Sequence, residues 1–204
     1  MLREIELSIH AHRSFNRTED IAKCQALRFI EAHPNSLERS CLLGHLTSSA
    51  WLVTPDRRST VLVHHKKLNR WLQPGGHADG NGNLFEVALD EASEETGLSL
   101  SIFTPVTSLI FDIDVHKMPK RGAEPAHMHY DIRYIFQIPE INLPGNDESY
   151  KVRFVPFDEV KEFNNTASIE RMVLKTKYQF SNACARQGSL QTKELKEEHI
   201  HHLK

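Results

Sequence analysis

The chain has 204 residues, 39% of them hydrophobic and 25% charged, with a formal net charge of -2. That length suits one ordinary domain with an extension, and that apolar content supports a buried core rather than disorder. The near-neutral balance excludes the basic surplus expected of a binder of nucleic acid polymers, although a local basic patch would still serve one small anion.

From the N-terminus, Met1 to His10 alternates charged and apolar residues and lacks the basic and continuous apolar regions of a signal peptide. Thr18 to Ala32 carries Ile21, Leu27 and Ile30, with Thr18 as a cap and Pro34 beyond the end, which predicts a helix. Leu46 to Val53 and Thr60 to His65 read as strands joined in a hairpin by the turn Thr54-Pro55-Asp56. Asp79 to Asn83 is a loop, and Leu84 to Thr96 is a helix stopped by Gly97. Val106 to His116, Met128 to Ile138 and Tyr150 to Val155 are three further strands. Pro156-Phe157-Asp158 opens a short helix, Ala167 to Ala185 forms a longer one, and Gly188 to Lys204 is a polar tail. The pattern predicts an α/β domain, a mixed sheet packed between helices, over residues 41–187. A helical extension over residues 1–40 precedes it and the tail over 188–204 follows.

No stretch approaches the roughly 20 apolar residues needed to span a bilayer. The three cysteines, Cys24, Cys41 and Cys184, are far apart and show neither a disulfide framework nor a zinc knuckle. Free thiols and the absence of a leader point to the cytoplasm.

The segment richest in chemistry runs from Gly75 to Leu98. Glu91 and Glu95 are four residues apart and share one line down the helix, with Glu94 beside them, while Phe85, Leu89 and Ala92 gather on a packing face. Like charges at these spacings repel, and they lie near a helix C-terminus, where the macrodipole disfavours them. A divalent cation compensates. Magnesium takes oxygen ligands, and the tight Gly75-Gly76 turn brings a backbone carbonyl towards the same ion. A solvated acidic face is the plain alternative.

This segment resembles the Nudix box: G, five residues, E, seven residues, then R-E-U-x-E-E-x-G-U, with U apolar. Gly76 stands at the first glycine, and Glu91-Ala92-Ser93-Glu94-Glu95-Thr96-Gly97-Leu98 matches the E-U-x-E-E-x-G-U end without a gap. Two positions depart: Gly82 replaces the first Glu and Asp90 replaces the Arg. Gly44 to Ala50, Lys67 to His77 and Glu124 to Asp131 are similar to a bacterial Nudix subgroup with a helical N-terminal extension. The resemblance implies a Nudix-type α/β/α fold and a hydrolase that cleaves a diphosphate linkage in a nucleotide-like molecule. In it Glu91, Glu94, Glu95 and the Gly75 carbonyl hold Mg2+ or Mn2+, and one of these glutamates, or a later acid such as Glu148, orients the attacking water. The partner it implies is a small nucleotide diphosphate, with no nucleic acid polymer and no membrane; a homodimer is left open. A catalytically silent nucleotide sensor and an isoprenoid diphosphate isomerase are the competing readings.

Two later stretches add candidates. Asp112, Asp114 and His116 share one strand face, as do His127, His129, Asp131 and Arg133, and such faces line either a substrate cup or solvent. Arg133 is the residue suited to gripping a phosphate, and His77, next to the glycines, is a further substrate or metal contact.

Overall fold

The computed structural model describes residues 1–122, 125–147 and 149–178. Glu148, Cys184 and the polar tail therefore lie outside the described residues, as does the end of the last helix. No helix among the described residues is long and apolar enough to cross a membrane.

The chain opens on α1 (Leu2–Ala11) and α2 (Arg17–Ala32), and then enters β1 (Gly44–Val53) and β2 (Ser59–His65). The short strands β3 (Arg70–Leu72) and β4 (Gly75–His77) lead into α3 (Leu84–Thr96). β5 (Thr104–Pro105), β6 (Asp112–Met118), β7 (His127–Gln137), β8 (Ser149–Pro156) and α4 (Val160–Phe163) follow. A last helix, α5, covers residues 167–178 as far as the chain is described. Among the described residues the strands form one eight-stranded mixed sheet. β1 runs parallel to β7 along its full length and antiparallel to β4, β6 pairs antiparallel with β7, and β2 pairs with β8.

Within the predicted helical extension, Leu2 to Ala11 form a helix because Ile5 and Ile9, four apart, turn one face into the core. Three expectations change. Asn16, not Thr18, caps α2, its side chain accepting from Glu19 N–H at 3.0 Å. The stretch Val106 to His116 is not one strand: β5 ends before it, residues 106–111 are irregular, and only Asp112 onward is strand, in β6. The β1–β2 hairpin makes one close register pair, Val53 with Thr60, because β1 spends its edges on β7 and β4.

The sheet has an apolar layer on each face. Leu46, Ala50, Leu52, Ile132 and Phe136 pack with Ile5, Ile9 and Ile30 of the N-terminal helices and Ala88 and Ala92 of α3. Trp51, Val53, Leu62 and Ile135 point the other way and meet Val160, Ile169 and Met172. The N-terminal helices thus share the core of the sheet rather than forming a separate unit.

Candidate functional site

β4 and α3 bring the acidic residues to the glycine turn. The pairs Ala50–Pro74 and Ala78–Leu46 are joined by backbone hydrogen bonds of 2.8 and 3.2 Å, so Gly75 occupies the alternate position, whose N–H and C=O turn away from β1. Its N–H donates to Glu95 Oε2 at 3.0 Å. Glu95 is buried, and Glu91 lies so close over Gly76 that a Cβ built there would overlap its carboxylate. Only glycine admits that approach. Glu94 is exposed on the adjacent line. Gly97 takes the left-handed conformation and closes α3 by donating to Ser93 O. The donor set, three carboxylates beside an outward-turned carbonyl, is hard oxygen throughout, which fits magnesium or manganese.

The two departures from the box have a structural setting. Gly82 lies under Met1, whose side chain fills the space that a Cβ would need, so the N-terminal helix occupies the room of the family's first Glu. Around this contact Met1, Ile5, Asn83, Phe85 and Tyr134 line a cavity of about 450 Å³. Asp90 is exposed on α3.

Strand register assembles a second group of side chains. The β1–β7 register sets His45 beside His129, with His127 two residues away on the same face. The β1–β4 register sets His77 beside Thr47, two residues from His45. The ligand nitrogens of His45, His77, His127 and His129 all lie within 4.8 Å of one another. His127 Nδ1–H donates to the Pro125 carbonyl at 2.9 Å, and His127 Nε2 lies 3.0 Å from His129 Nε2. His77 Nε2 is buried without a hydrogen-bond partner among the described residues. Burial, reinforced by neighbouring rings and Arg39, pushes His77 down to about 4. Burial and the surrounding histidines push His129 down to about 2, so both are neutral near pH 7.

Arg133 meets neither setting expected of its strand face, a substrate cup or solvent. It is 3% exposed, and its guanidinium meets Asp131 at 2.7 Å, Asp112 at 3.3 Å and Asp114 at 3.3 Å. Its donors are spent on carboxylates rather than turned outward to a phosphate. Arg171 reaches Asp112 at 2.7 Å, and Lys175 joins Asp112 at 3.0 Å to Glu19 at 2.5 Å. Asp131 also accepts from Thr47 and Ser49. Burial opposes the charge on Asp114, but Arg133, His116 and Arg171 hold its carboxyl well below the usual range. Sequence reasoning missed Glu19, Arg171 and Lys175, which come from helices distant in sequence. It also missed His45 as a partner of the other three histidines, which the β1–β7 and β1–β4 registers alone bring to them.

An acid-bearing helix ends over a glycine turn, on a mixed sheet between helices, an arrangement that could hold a divalent ion beside a phosphoanhydride. The NUDIX domain model matches residues 44–175, and the chain belongs to the NUDIX family of pyrophosphohydrolases. Among solved structures it is similar to the E. coli dihydroneopterin triphosphate pyrophosphohydrolase, with a TM-score of 0.52 and 9% identity over 63% of this chain and 91% of that one. A C. elegans Ap4A hydrolase binary complex gives a TM-score of 0.49 and 11% identity over 67% and 98%. A NUDIX hydrolase from Clostridium perfringens gives 0.47 and 19% over 66% and 97%. At such identities the likeness is one of fold. No curated protein matches the chain.

Proposed function

We propose that the protein cleaves a diphosphate linkage in a nucleotide-like small molecule, a nucleoside diphosphate joined to another moiety, by attack of water at phosphorus. The observation that carries this reading is the convergence of Glu95 on Gly75 N–H and of Glu91 on Gly76, which collects the acids of α3 at one backbone turn.

Glu91, Glu94, Glu95 and the Gly75 carbonyl are the groups that would hold Mg2+ or Mn2+. When bound, the ion neutralises phosphate oxygen charge and activates water. One of the three glutamates orients or deprotonates that water, and burial of Glu95 fixes its carboxylate against the turn. Glu148, outside the described residues, stays an additional candidate acid. His77, His127 and His129 stand on β4 and β7 as candidate substrate contacts, subordinate to the glutamates. The free thiols of Cys24 and Cys41 support a cytoplasmic setting. Residues 1–40, 41–187 and 188–204 are the corresponding extension, catalytic domain and tail, and a homodimer is compatible with the reading.

A panel of nucleotide diphosphates, read by phosphate release after phosphatase coupling, tests this. Turnover is expected with magnesium or manganese, abolished by chelation and restored by the ion. Undiminished turnover in excess chelator overturns it.

A further inference from the structure

The box glutamates account for a hard, oxygen-donor site, but the histidine cluster has a different chemistry. We propose that His45, His77, His127 and His129 together bind one divalent transition-metal ion of the zinc class, at a site separate from the glutamates. The inference does not depend on the proposed hydrolysis.

Geometry is the first support. Four points no more than 4.8 Å apart all fall within about 2.9 Å of a common centre, at most about 0.9 Å beyond the roughly 2.0–2.1 Å of a zinc–imidazole bond. Small side-chain rotations bring the nitrogens to that distance. The second support is ring orientation. His127 spends its Nδ1–H on the Pro125 carbonyl, which leaves Nε2 unprotonated in the neutral ring and aimed at His129 Nε2. A ligating histidine is ordinarily held in this way, its outer N–H given to a carbonyl. Third, the buried Nε2 of His77 lacks a hydrogen-bond partner among the described residues, and an ion supplies one.

The donor type selects the ion. Neutral imidazoles suit zinc, copper, nickel and cobalt, whereas magnesium demands oxygen. Four protein ligands leave no open position in a tetrahedral zinc shell, so the site is structural rather than catalytic, and His77, His127 and His129 would serve the ion in place of the substrate. Its ligands come from β1, β4 and β7. The ion would therefore pin β4, only three residues long, to the two central strands, and β4 is the strand that presents Gly75 and Gly76 to the glutamates.

The test uses the full chain, stripped with chelator, desalted and titrated with zinc or cobalt in the presence of excess magnesium. Uptake of one equivalent per chain is expected, with the visible absorption of tetrahedral cobalt. X-ray absorption at the zinc edge of the wild-type protein is expected to show a first shell of imidazole nitrogens, and this reading needs no variant. His77→Gln, on the short edge strand, should weaken zinc at least about tenfold with the fold retained by circular dichroism, while Glu91→Gln should leave zinc uptake unchanged. No stoichiometric uptake, an oxygen-dominated shell, or zinc lost in Glu91→Gln but kept in His77→Gln overturns the proposal. The first of these outcomes would mean that the imidazoles simply hydrogen-bond one another.

Discussion

Glu95 accepts a hydrogen bond from the Gly75 amide at 3.0 Å, which ties the last turn of α3 to β4 across 20 residues of chain. Replacing it by Gln keeps an oxygen acceptor for that amide but removes the charge that attracts a cation. Glu95→Gln is therefore expected to lower turnover by at least about 10²-fold, the size of a lost electrostatic contact in catalysis. The melting temperature should hold, since relieving repulsion among Glu91, Glu94 and Glu95 does not harm the helix. Steady-state kinetics beside a thermal melt checks both halves; near-wild-type turnover would remove Glu95 from the site.

Gly76 gives a second probe of the same geometry. A methyl group there collides with the end of the Glu91 side chain rather than with backbone. Glu91 can swing aside, so Gly76→Ala should cost little stability and yet lower turnover by about 10²-fold, because small misplacements of a catalytic group are expensive. Equal losses in melting temperature and activity would mean that the turn itself had collapsed.

Arg133 answers to stability and not to substrate affinity. Arg133→Ala strips a partner from Asp112, Asp114 and Asp131, all at most 17% exposed on the side chain. Breaking a buried ion network from one side costs about 3–5 kcal/mol, and denaturant unfolding should show a loss of that size. An unchanged unfolding midpoint with a raised Michaelis constant would restore Arg133 to the substrate.

Acid should loosen the hold of the N-terminal helices. Burial works against the charge on Glu19, but hydrogen bonds from His12 and Lys175, the Lys175 charge and the Phe15 amide outweigh it and bring its pKa from 4.5 to about 2. A depressed folded value means that its contribution is complete above about pH 4.5 and is lost as pH falls towards 2. The shift corresponds to about 3 kcal/mol. Urea unfolding measured from pH 4.5 to pH 2 should show that decline on top of what the buried histidines and Asp114 lose over the same range, and Glu19→Gln, already weaker at neutral pH, should make it shallower. A wild-type profile that is level across this window would contradict the role given to Glu19.

The sequence was most legible where a local signal decides the structure. The helix from Leu84 to Thr96 has its predicted bounds because apolar spacing, a loop rich in Gly and Asn, and Gly97 all act within one segment. That Glu91, Glu94 and Glu95 share one side of the helix followed from helical periodicity, but reading them as a site took the resemblance to the Nudix box as well. What stayed hidden depends on register between strands far apart in the chain. The full-length pairing of β1 with β7 is what places His45 against His129 and seals Asp131 and Arg133 beneath α5. Period-two alternation could show that His127, His129, Asp131 and Arg133 share a face, but not whether that face meets water or another layer. Gly82 is a similar case: its setting under Met1 joins two segments that no local pattern connects.

The bond from Lys175 to Glu19 spans 156 positions and closes α5 onto α2, and Glu19 also accepts from the Ile113 amide of β6. The stretch that matches the family, residues 44–175, ends on one of these partners and omits the other. Homology and autonomy therefore part company here: a polypeptide trimmed to the matched stretch would keep every box glutamate and all four clustered histidines, yet would leave the buried Lys175 ammonium with Asp112 as its one remaining carboxylate and bare the apolar face that Ile5, Ile9 and Ile30 cover. Cutting at that boundary should yield an aggregating fragment, so the evolutionary module and the thermodynamic one are different lengths of the same chain.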